Sequence, residues 1–435
     1  MRLLHLSDIH VGVESYGRPA SQADLDALPD WFAPDVDRAE YLGVNTRLLD
    51  FLAAMDYAVD YAIEGGVDLV LFAGDAYKAR NPTQTHQREF ARRIARLSAA
   101  GIPTFLTIGN HDLPHVANRA TALEIFPTLS VANVTVGQTL DTHRIATNAG
   151  DVQVVALPWI RIGQFMNREE TRGQTLEQIK QDVESRLVMH LQEEVDRLDP
   201  TLPAVLCAHV NIAGAKTASE QSMMLGNDHI LSLGTVAIPQ FDYVALGNIH
   251  KHQVLTEHPP VVYAGSIERV DFSEEREDKG FVVADIDPVR PQGERLTGYG
   301  FVPTPARPML TIRVATGPME NPTEAAVQAI SAQPEEELAR SIVRLRIEMR
   351  AEQEPAFREA DVRAALASAF YVAGIERRVE RERRTRLPWE DAERIEPLDA
   401  LRRYFQSKAT PDDREQTLLR YAEDLLHEEL AEREG

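Results

Sequence analysis

The chain has 435 residues, too long for one ordinary hydrophobic core, so two or three domains are expected. Its 43% hydrophobic and 26% charged residues are typical of a globular protein, and its single cysteine, Cys207, excludes an intramolecular disulfide and favours a reducing compartment. A net charge of -22 argues against tight, non-specific nucleic-acid binding, although a local basic strip or a metal-assisted grip on phosphate is still allowed.

The first predicted strand ends at His10. Because His5 and Asp8 interrupt this apolar run, we predict no signal peptide or membrane span and expect a cytoplasmic protein with no membrane partner. The polar, proline-bearing residues 14–45 follow, a long loop of the kind that is often functional or mobile, with surface decoration as the alternative. Helical spacing then predicts a helix over residues 46–64, which Gly65 and Gly66 end.

A second strand runs to Asp75, and a second helix is predicted over residues 83–97. Four arginines of this helix, Arg88, Arg92, Arg93 and Arg96, are interpreted as a solvated face, with DNA contact as the alternative. A third apolar run leads into Gly109, Asn110, His111 and Asp112. Weaker strands near residues 131–136 and 152–159, a charged helix over residues 176–199 and a strand ending at His209 follow.

Residues 211–227 are small and polar, which predicts a loop over a site. The next apolar run ends in Asn248, Ile249 and His250, and residues 261–266 and 280–285 are predicted to be closing strands. Prolines end this pattern, so the first domain is expected to cover residues 1–307.

Residues 308–387 alternate between strands (310–314 and 342–347) and helices (323–332 and 360–373), which predicts a small α+β domain. Its last piece, residues 377–386, is the most basic part of the chain and carries six arginines, Arg377, Arg378, Arg381, Arg383, Arg384 and Arg386. The glutamates Glu376, Glu380 and Glu382 alternate with these arginines and leave two interpretations open, a DNA-binding surface or a set of structural ion pairs.

Residues 388–435 form a tail with two amphipathic stripes, one through Leu398, Leu401 and Phe405 and one from Leu418 to Leu430. The sequence Thr410-Pro411-Asp412-Asp413 predicts the start of the second helix. These apolar faces must be buried, either on the protein itself or in the groove of a partner.

Five of the apolar runs share one feature, because each ends in Asp, Asn or His. One such ending is typical of a helix N-cap or a core histidine. If the five strands lie side by side in one sheet, however, their carboxyl ends meet at one rim, where open α/β sheets bind ligands. The residues predicted to converge are Asp8, His10, Asp75, Asn110, His209, Asn248 and His250.

Carboxylate, amide and imidazole ligands without cysteine suit Mn²⁺, Fe²⁺ or Zn²⁺ and disfavour a closed structural zinc site. Seven ligands are too many for one ion, so we expect two divalent ions that share Asp75 and act on a phosphate. His111 is assigned to protonation or charge stabilisation of the leaving group, with a ligand or N-cap role as the alternative, and Asp112 is expected to orient it.

The five motifs resemble those of calcineurin-like metallophosphoesterases, in order and over residues 1 to about 285. They are Asp8-Ile9-His10, Gly74-Asp75, Gly109-Asn110-His111-Asp112, His209 and Gly247-Asn248-Ile249-His250. The resemblance implies an α/β sandwich of mixed sheets flanked by helices. The segments 246–252 and 263–268, the small second domain and the helical tail further resemble the SbcD and Mre11 family of DNA double-strand-break repair nucleases.

That resemblance implies a Mn²⁺-dependent DNA exonuclease and endonuclease that is a homodimer through helices of the first domain. It implies that residues 308–387 are a capping and DNA-binding domain, and that residues 392–432 bind an SbcC-type ATPase. The expected location is the cytoplasm, with nucleoid association when the protein is at DNA.

One position departs from this family, which usually has Gly-His-Xaa-His where this chain has Gly247-Asn248-Ile249-His250. Asn248 is expected to coordinate through its amide oxygen, or His252 to serve as an extra ligand. A phosphatase of the same superfamily is one alternative, although the Asp-Arg-Gly typical of protein phosphatases is replaced after Asp75 by Ala76-Tyr77. A weakly active DNA-end scaffold for the ATPase is another.

Overall fold

The structure is a computed structural model that describes residues 1–114, 119–160, 173–217, 230–380, 397–407 and 411–433. The chain divides into two compact units, residues 1–349 with 355–378, and residues 350–354 with 379–435. Within the described ranges, no helix is both long enough and apolar enough to span a membrane.

The strands are short and mostly belong to two large sheets. They are β1 (Arg2–Leu6), β2 (Leu69–Phe72), β3 (Thr104–Thr107), β4 (Val134–Gly137), β5 (Asp141–Thr147), β6 (Gly150–Leu157), β7 (Ala204–His209), β8 (Asn211–Ile212), β9 (Ile230–Leu231), β10 (Tyr243–Gly247), β11 (Gln253–Glu257), β12 (Pro260–Tyr263), β13 (Gly280–Ile286), β14 (Leu296–Pro303), β15 (Met309–Ala315), β16 (Ile342–Arg350) and β17 (Tyr371–Glu380).

The helices range from a single turn to 22 residues. They are α1 (Gln22–Asp26), α2 (Thr46–Glu64), α3 (Gln84–Ala99), α4 (Ile125–Thr128), α5 (Leu176–Asp196), α6 (Leu233–Val236), α7 (Pro322–Ser331), α8 (Glu335–Arg340), α9 (Glu359–Ala365), α10 (Pro397–Ser407) and α11 (Asp412–Arg433).

Two six-stranded mixed sheets form the centre of the first unit. Their strand orders are β14-β13-β1-β2-β3-β4 and β11-β12-β10-β7-β6-β5. Strands β1 to β4 are parallel, as are β6, β7, β10 and β12. Helices α2 and α3 follow β1 and β2, which allows the parallel connections.

The sheets pack face to face, and helices cover their outer faces. Leu71 and Phe105 of the first sheet share one buried cluster with Val205 and Ala245 of the second. Helices α2 and α3 pack on the other side of the first sheet, and α5 packs on the other side of the second. The predicted sandwich of mixed sheets flanked by helices is therefore confirmed.

The arrangement of the motif strands differs from the prediction of one sheet. Strands β1, β2 and β3 lie in the first sheet, whereas β7 and β10 lie in the second. A strand buried on both faces has the same apolar pattern in either sheet, so the sequence does not distinguish the two cases. Face-to-face packing still brings the strand ends to one rim.

Several predicted boundaries are confirmed and others are wrong. The helix over Thr46–Glu64 is confirmed, and Gly65 caps it. Strand β1 ends at Leu6 rather than at His10, so Asp8 and His10 lie in the following loop. The helix predicted over residues 360–373 ends at Ala365, and its last three residues begin β17. The edge strands β5, β11 and β14 were not predicted, because their exposed faces weaken the apolar pattern.

The 14–45 segment is folded onto helices α2 and α3. Phe32 and Tyr41 are 1% exposed and belong to the same buried cluster as both helices. The Ala33 N–H donates to Asp56 Oδ2 (3.0 Å), and the Tyr41 hydroxyl donates to Glu89 Oε2 (2.7 Å). This segment is therefore packed structure that covers one side of the helical layer.

The arginines of α3 do not form one solvated face, because each pairs with a carboxylate and only the Arg88 side chain is about half exposed (47%). Arg93 is 1% exposed and bonds to Glu89 Oε2 (2.8 Å) and Asp56 Oδ2 (2.6 Å). Arg92 pairs with Glu40 of the 14–45 segment, and Arg96 pairs with Asp56. The solvated face is wrong for Arg93, whose carboxylate partners are Glu89 of the same helix and Asp56 of α2, whereas the DNA contact stays an untested alternative for the partly exposed Arg88 and Arg92.

A third sheet, β15-β16-β17, follows the sandwich, with β15 and β16 parallel. The predicted boundaries at residues 307 and 387 stay a prediction. In the second unit, α10 and α11 contact each other, and Tyr421 and Leu425 of α11 are 65% and 64% exposed. Residues 218–227 of the predicted loop, Arg381 to Arg386 and residues 388–396 and 408–410 of the tail lie outside the described residues.

Candidate metal centre

Four residues predicted to be ligands have left-handed backbone conformations. The φ angles are 53° for Asp8, 51° for His10, 60° for Asp75 and 95° for Asn248. Non-glycine residues adopt this region rarely, and the strain is typical of functional loops that must aim a side chain. The loops are tied together, because the Asp8 N–H donates to Gly74 O (2.9 Å) and the His10 N–H to Asp75 O (3.1 Å).

Two glycines let these loops approach closely. A Cβ atom at Gly74 would collide with the His209 ring, and one at Gly109 would collide with Asp75. Glycine is therefore required where the loops after β2 and β3 meet each other and the end of β7.

Six of the predicted site residues form three overlapping groups. Within each group, one ligand atom per residue lies within 4.8 Å of the others. The groups are Asp8, His10 and His250; His10, Asp75 and His111; and Asp8, Asp75 and His209. His10 Nε2 lies 2.9 Å from His250 Nε2 and 3.7 Å from Asp75 Oδ2, and His209 Nε2 lies 3.5 Å from the same oxygen. Loops from both sheets thus meet around Asp75.

Three imidazoles of the site are oriented by hydrogen bonds from Nδ1. The Nδ1–H of His209 donates to Ala73 O (2.7 Å), that of His111 to Lys78 O (2.8 Å) and that of His250 to Glu274 Oε1 (2.8 Å). These bonds fix Nδ1 as the protonated nitrogen and leave Nε2 as the nitrogen suited to a metal or a substrate.

The buried carboxylates shift the pKa values of their neighbours. Burial lowers the pKa of His209, but the charges of Asp75 and Asp8 raise it overall to about 9. Burial raises the pKa of Asp75, but the charges of His209 and His111 hold it well below its usual range. Burial and the Asp75 charge raise the pKa of Asp112 to about 7. The site thus gathers negative charge at a buried position.

The donor set fits divalent cations. The Asn110 amide oxygen lies 3.1 and 2.9 Å from the two Asp75 oxygens and 3.1 Å from His209 Nε2, an arrangement that a cation would stabilise. With the amide rotated, its nitrogen would instead donate to these groups. His10 Nδ1 is buried without a hydrogen-bond partner among the described residues. Two ligand atoms at right angles on one ion would lie about 3 Å apart, which is close to the 2.9 Å between His10 Nε2 and His250 Nε2.

Asn248 also lies at this rim, although it is not in the three groups. Its N–H donates to Asp8 Oδ1 (3.2 Å) and Oδ2 (3.1 Å), which ties the loops after β1 and β10 together. Its amide nitrogen donates to Asn211 Oδ1. Asn211 is 2% exposed and was not predicted as part of the site, because nothing in its local sequence separates it from the polar loop that follows.

Asp112 and His252 are placed differently from expectation. The Asp112 carboxylate accepts from the backbone N–H groups of Asp75 (2.9 Å), Ala76 (3.0 Å) and Gly109 (3.0 Å), so it fastens the loops, whereas the His111 ring is oriented by Lys78 O. His252 donates from Nδ1 to Tyr263 O and stacks on Phe301, with ring centroids 4.3 Å apart.

Two buried residues beside the site were also missed. Glu274 is 0% exposed and Lys279 is 1% exposed, and Lys279 Nζ bonds to Glu274 Oε2 (2.8 Å). Both lie in the charged run 274–279, a composition typical of a solvated loop. No local sequence signal indicates that this run enters the protein interior.

A sandwich of two mixed sheets that gathers carboxylate, imidazole and amide donors at one rim defines a metal-dependent hydrolase of phosphoesters. A profile of the calcineurin-like phosphoesterases matches residues 1–253, more than half of the chain. The chain belongs to this family and is a hydrolase of the metallophosphoesterase superfamily, whose members use divalent metals.

Several relatives carry more specific names. The chain is 25% identical over 257 residues to the SbcD component of the nuclease SbcCD of Staphylococcus epidermidis, a match that covers 58% of this chain and 63% of that protein. It is 25% identical over 281 residues to the DNA double-strand break repair protein Mre11 of Thermoplasma acidophilum, covering 64% and 58%. It is 24% identical over 324 residues to the SbcD component of the same nuclease in Bacillus subtilis, covering 73% of each. The match thus spans less than two thirds of the first two relatives.

Proposed function

We propose that the protein is a metal-dependent DNA nuclease that hydrolyses phosphodiester bonds at DNA ends in double-strand-break repair. The observation that carries this proposal is the convergence of loops from both sheets around Asp75. The names of the relatives support DNA as the substrate. Both exonuclease and endonuclease activity are part of the proposal.

We assign the ligands to two positions that share Asp75. Asp8, His10 and His250 complete the first position, and Asn110, His209 and Asn248 complete the second. Divalent ions bound there, which we expect to be Mn²⁺, would supply Lewis acidity and a water of lowered pKa. Asn248 contributes an amide oxygen, a harder ligand than the imidazole usual at this place.

His111 is assigned to protonation of the leaving oxygen. Its N–H donates to Asp75 Oδ1 (2.8 Å), and its ring Nδ1–H donates to Lys78 O (2.8 Å), so the backbone and the ring are both fixed beside the ligands. The ring makes an edge contact with His10, with centroids 5.0 Å apart, and is only partly buried. Its Nε2 is therefore the nitrogen suited to a proton transfer to substrate.

The proposed partners are DNA, a second copy of the chain and an SbcC-type ATPase. The dimer would form through helices of the first domain, and residues 392–432 would bind the ATPase. The exposed Tyr421 and Leu425 of α11 support a partner for the tail. With a net charge of -22, the isolated chain should bind DNA weakly and in a salt-sensitive way, so the ATPase would supply much of the affinity.

A phosphatase that acts on small phosphoesters is the second candidate, and the acidic charge favours it, because a small substrate needs no extended basic surface. The same centre would serve both reactions. A weakly active DNA-end scaffold is the third, supported by Asn248 at a position where the family usually has histidine.

The test compares Mn²⁺-dependent cleavage of linear duplex DNA, a p-nitrophenyl phosphodiester and p-nitrophenyl phosphate, with and without the ATPase. Wild-type protein should cleave DNA and the diester, and His111→Ala should bind Mn²⁺ but lose about 100-fold or more of the cleavage rate. Preference for the monoester would support the phosphatase. If the protein binds Mn²⁺ but leaves DNA intact in every condition, the nuclease is contradicted and the DNA-end scaffold is supported.

A further inference from the structure

The turn that follows Val270 carries a buried ion pair, Glu274 with Lys279, whose nitrogen and oxygen lie 2.8 Å apart. We call this pair the His250 clamp. Burying a charged pair costs free energy unless its remaining hydrogen bonds are satisfied. The partners of the clamp therefore indicate what it holds in place.

The clamp binds His250 at its ring and at its backbone carbonyl. Glu274 Oε1 accepts from the His250 ring Nδ1–H (2.8 Å), while Lys279 Nζ donates to the His250 carbonyl oxygen (3.0 Å). The clamp is itself fixed, because Glu274 Oε2 accepts from the Val270 N–H (2.9 Å) and Glu277 Oε2 accepts from Lys279 Nζ (3.1 Å). Ring orientation and backbone position of His250 thus depend on the same two residues.

The clamp also decides which nitrogen of His250 bears the proton. A carboxylate can only accept, so the proton is held on Nδ1, and the Nε2 lone pair is directed towards His10 Nε2, 2.9 Å away. A metal ligand needs this tautomer, and carboxylates behind such histidines tune metal affinity.

The residue after Glu274 binds the third sheet. Glu275 Oε1 accepts from the Thr311 N–H (2.9 Å), and Oε2 accepts from the Thr311 hydroxyl (2.5 Å). Arg344 donates to the same hydroxyl (3.1 Å), and its guanidinium lies 4.1 Å from the centre of the Phe272 ring. The turn is therefore fastened to β15 and β16 on one side and to His250 on the other.

We propose that Glu274 is a positioning residue for His250, and that the bond between Glu275 and Thr311 makes this positioning depend on the third sheet. The inference rests on the proposed function, because it gives His250 the role of a ligand. A substrate or partner that moves the third sheet would then alter the metal centre without touching it.

Glu274→Gln tests the clamp with little change in shape. An amide has only one oxygen, and because Lys279 Nζ and the Val270 N–H can only donate, that oxygen should face them. The amide nitrogen then faces His250 Nδ1 and forces the proton to Nε2. We expect Mn²⁺ affinity, measured by titration calorimetry, to fall by about tenfold or more. In the metal-free protein, ¹⁵N NMR of the histidine rings should show a changed tautomer for His250.

Glu89→Gln is the matched control, since Glu89 is also 0% exposed and paired with an arginine, but it belongs to the α2–α3 cluster. It should lower folding stability and leave both Mn²⁺ affinity and the His250 tautomer unchanged. Retention of the wild-type tautomer and affinity in Glu274→Gln would overturn the clamp. An equal loss of affinity in Glu89→Gln would also overturn it, because the loss would then reflect general loosening.

Thr311→Val tests the link to the third sheet and leaves the clamp residues in place. We expect a loss of Mn²⁺ affinity of a few fold, which should vanish in the Glu274→Gln background because the link acts through Glu274. Equal effects in both backgrounds would overturn the link. Should Glu274→Gln not fold, Thr311→Val decides alone, and unchanged affinity and tautomer then overturn the inference.

These outcomes are separate from failure of the proposed function. Wild-type protein that binds Mn²⁺ but cleaves no phosphodiester would contradict the nuclease, while the affinity and tautomer measurements would still decide the clamp. Conversely, DNA cleavage by the wild type, with Mn²⁺ affinity and the His250 tautomer unchanged in Glu274→Gln, would support the proposed function and overturn the inference about the clamp.

Discussion

Two buried polar clusters, one between helices α2 and α3 and one at the rim of the sandwich, show different ways of keeping charge inside this protein. Between α2 and α3, Arg93 bonds to Glu89 and Asp56, so each charge is compensated by a protein group. At the rim, the groups gathered around Asp75 are a second carboxylate, Asp8, together with imidazoles and an amide.

The comparison teaches that buried charge alone does not mark a functional site. Both clusters include fully buried carboxylates, and burial raises the pKa of Asp56 as it does that of Asp8. The difference is that the helical cluster is compensated by arginines, which stay charged, whereas the rim is lined by imidazoles, which can lose a proton and bind a cation instead. The two clusters should therefore respond differently to substitution and to added metal.

The largest effect is expected for Asp75→Asn, which removes the carboxylate common to two of the ligand groups. DNA cleavage at saturating Mn²⁺ should fall by about 1000-fold or more. The metal-free protein should be less stable than wild type in urea, because the charge of Asp75, whose pKa is held well below its usual range, is stabilised by His209 and His111. Activity within tenfold of wild type would contradict the shared-ligand role.

Arg93→Met makes the opposite change in the helical cluster. Removing one partner of a buried pair leaves Glu89 and Asp56 uncompensated, so the free energy of unfolding should fall by about 3–5 kcal/mol. Urea denaturation measures this loss. Mn²⁺ affinity of the folded variant should match wild type, and a metal defect would show that the clusters are coupled.

Mn²⁺ itself should stabilise the protein, because only the folded rim holds the ligands together. At a free concentration 100 times Kd, one bound ion adds about 2.7 kcal/mol to the free energy of unfolding. Thermal denaturation with and without Mn²⁺ measures the shift. Arg93→Met should keep the shift and Asp75→Asn should lose it, so an equal shift in both variants would refute the distinction.

The smallest effect is expected for a partly exposed pair, Arg18 with Asp24, whose N–O distances are 2.5 and 2.8 Å. The hydrogen bond from Arg18 lowers the pKa of Asp24 from 3.8 to about 2. The folded-state pKa is depressed, so the stabilisation is present above pH 3.8 and is lost as pH falls through about 2.

Asp24→Asn should therefore cost about 1 kcal/mol at neutral pH, a value reduced by solvent screening of Arg18. The difference between wild type and variant, measured by urea denaturation at several pH values, should shrink as pH falls through about 2 and vanish below it. A difference independent of pH would show that the charge of Asp24 contributes nothing.

The sequence determined the local features of the chain. The spacing of apolar residues and the Gly65-Gly66 stop define the helix over Thr46–Glu64, because amphipathic periodicity and helix ends are encoded within a few residues. The strands that lead to Asp8, Asp75 and His209 were also predicted, because each is a short apolar run whose end is visible in the local sequence. The convergence of these residues was also predicted, although through one sheet instead of two.

Only the tertiary structure decided which residues support the site. Asp8 accepts from the N–H of Asn248, 240 positions away, and Glu274 reaches His250 from within a run of charges that resembles a surface loop. The burial of Arg93 likewise depends on a carboxylate 37 positions away. Whether a charged side chain is solvated or buried depends on partners that folding brings from distant segments, and the local sequence does not contain that information.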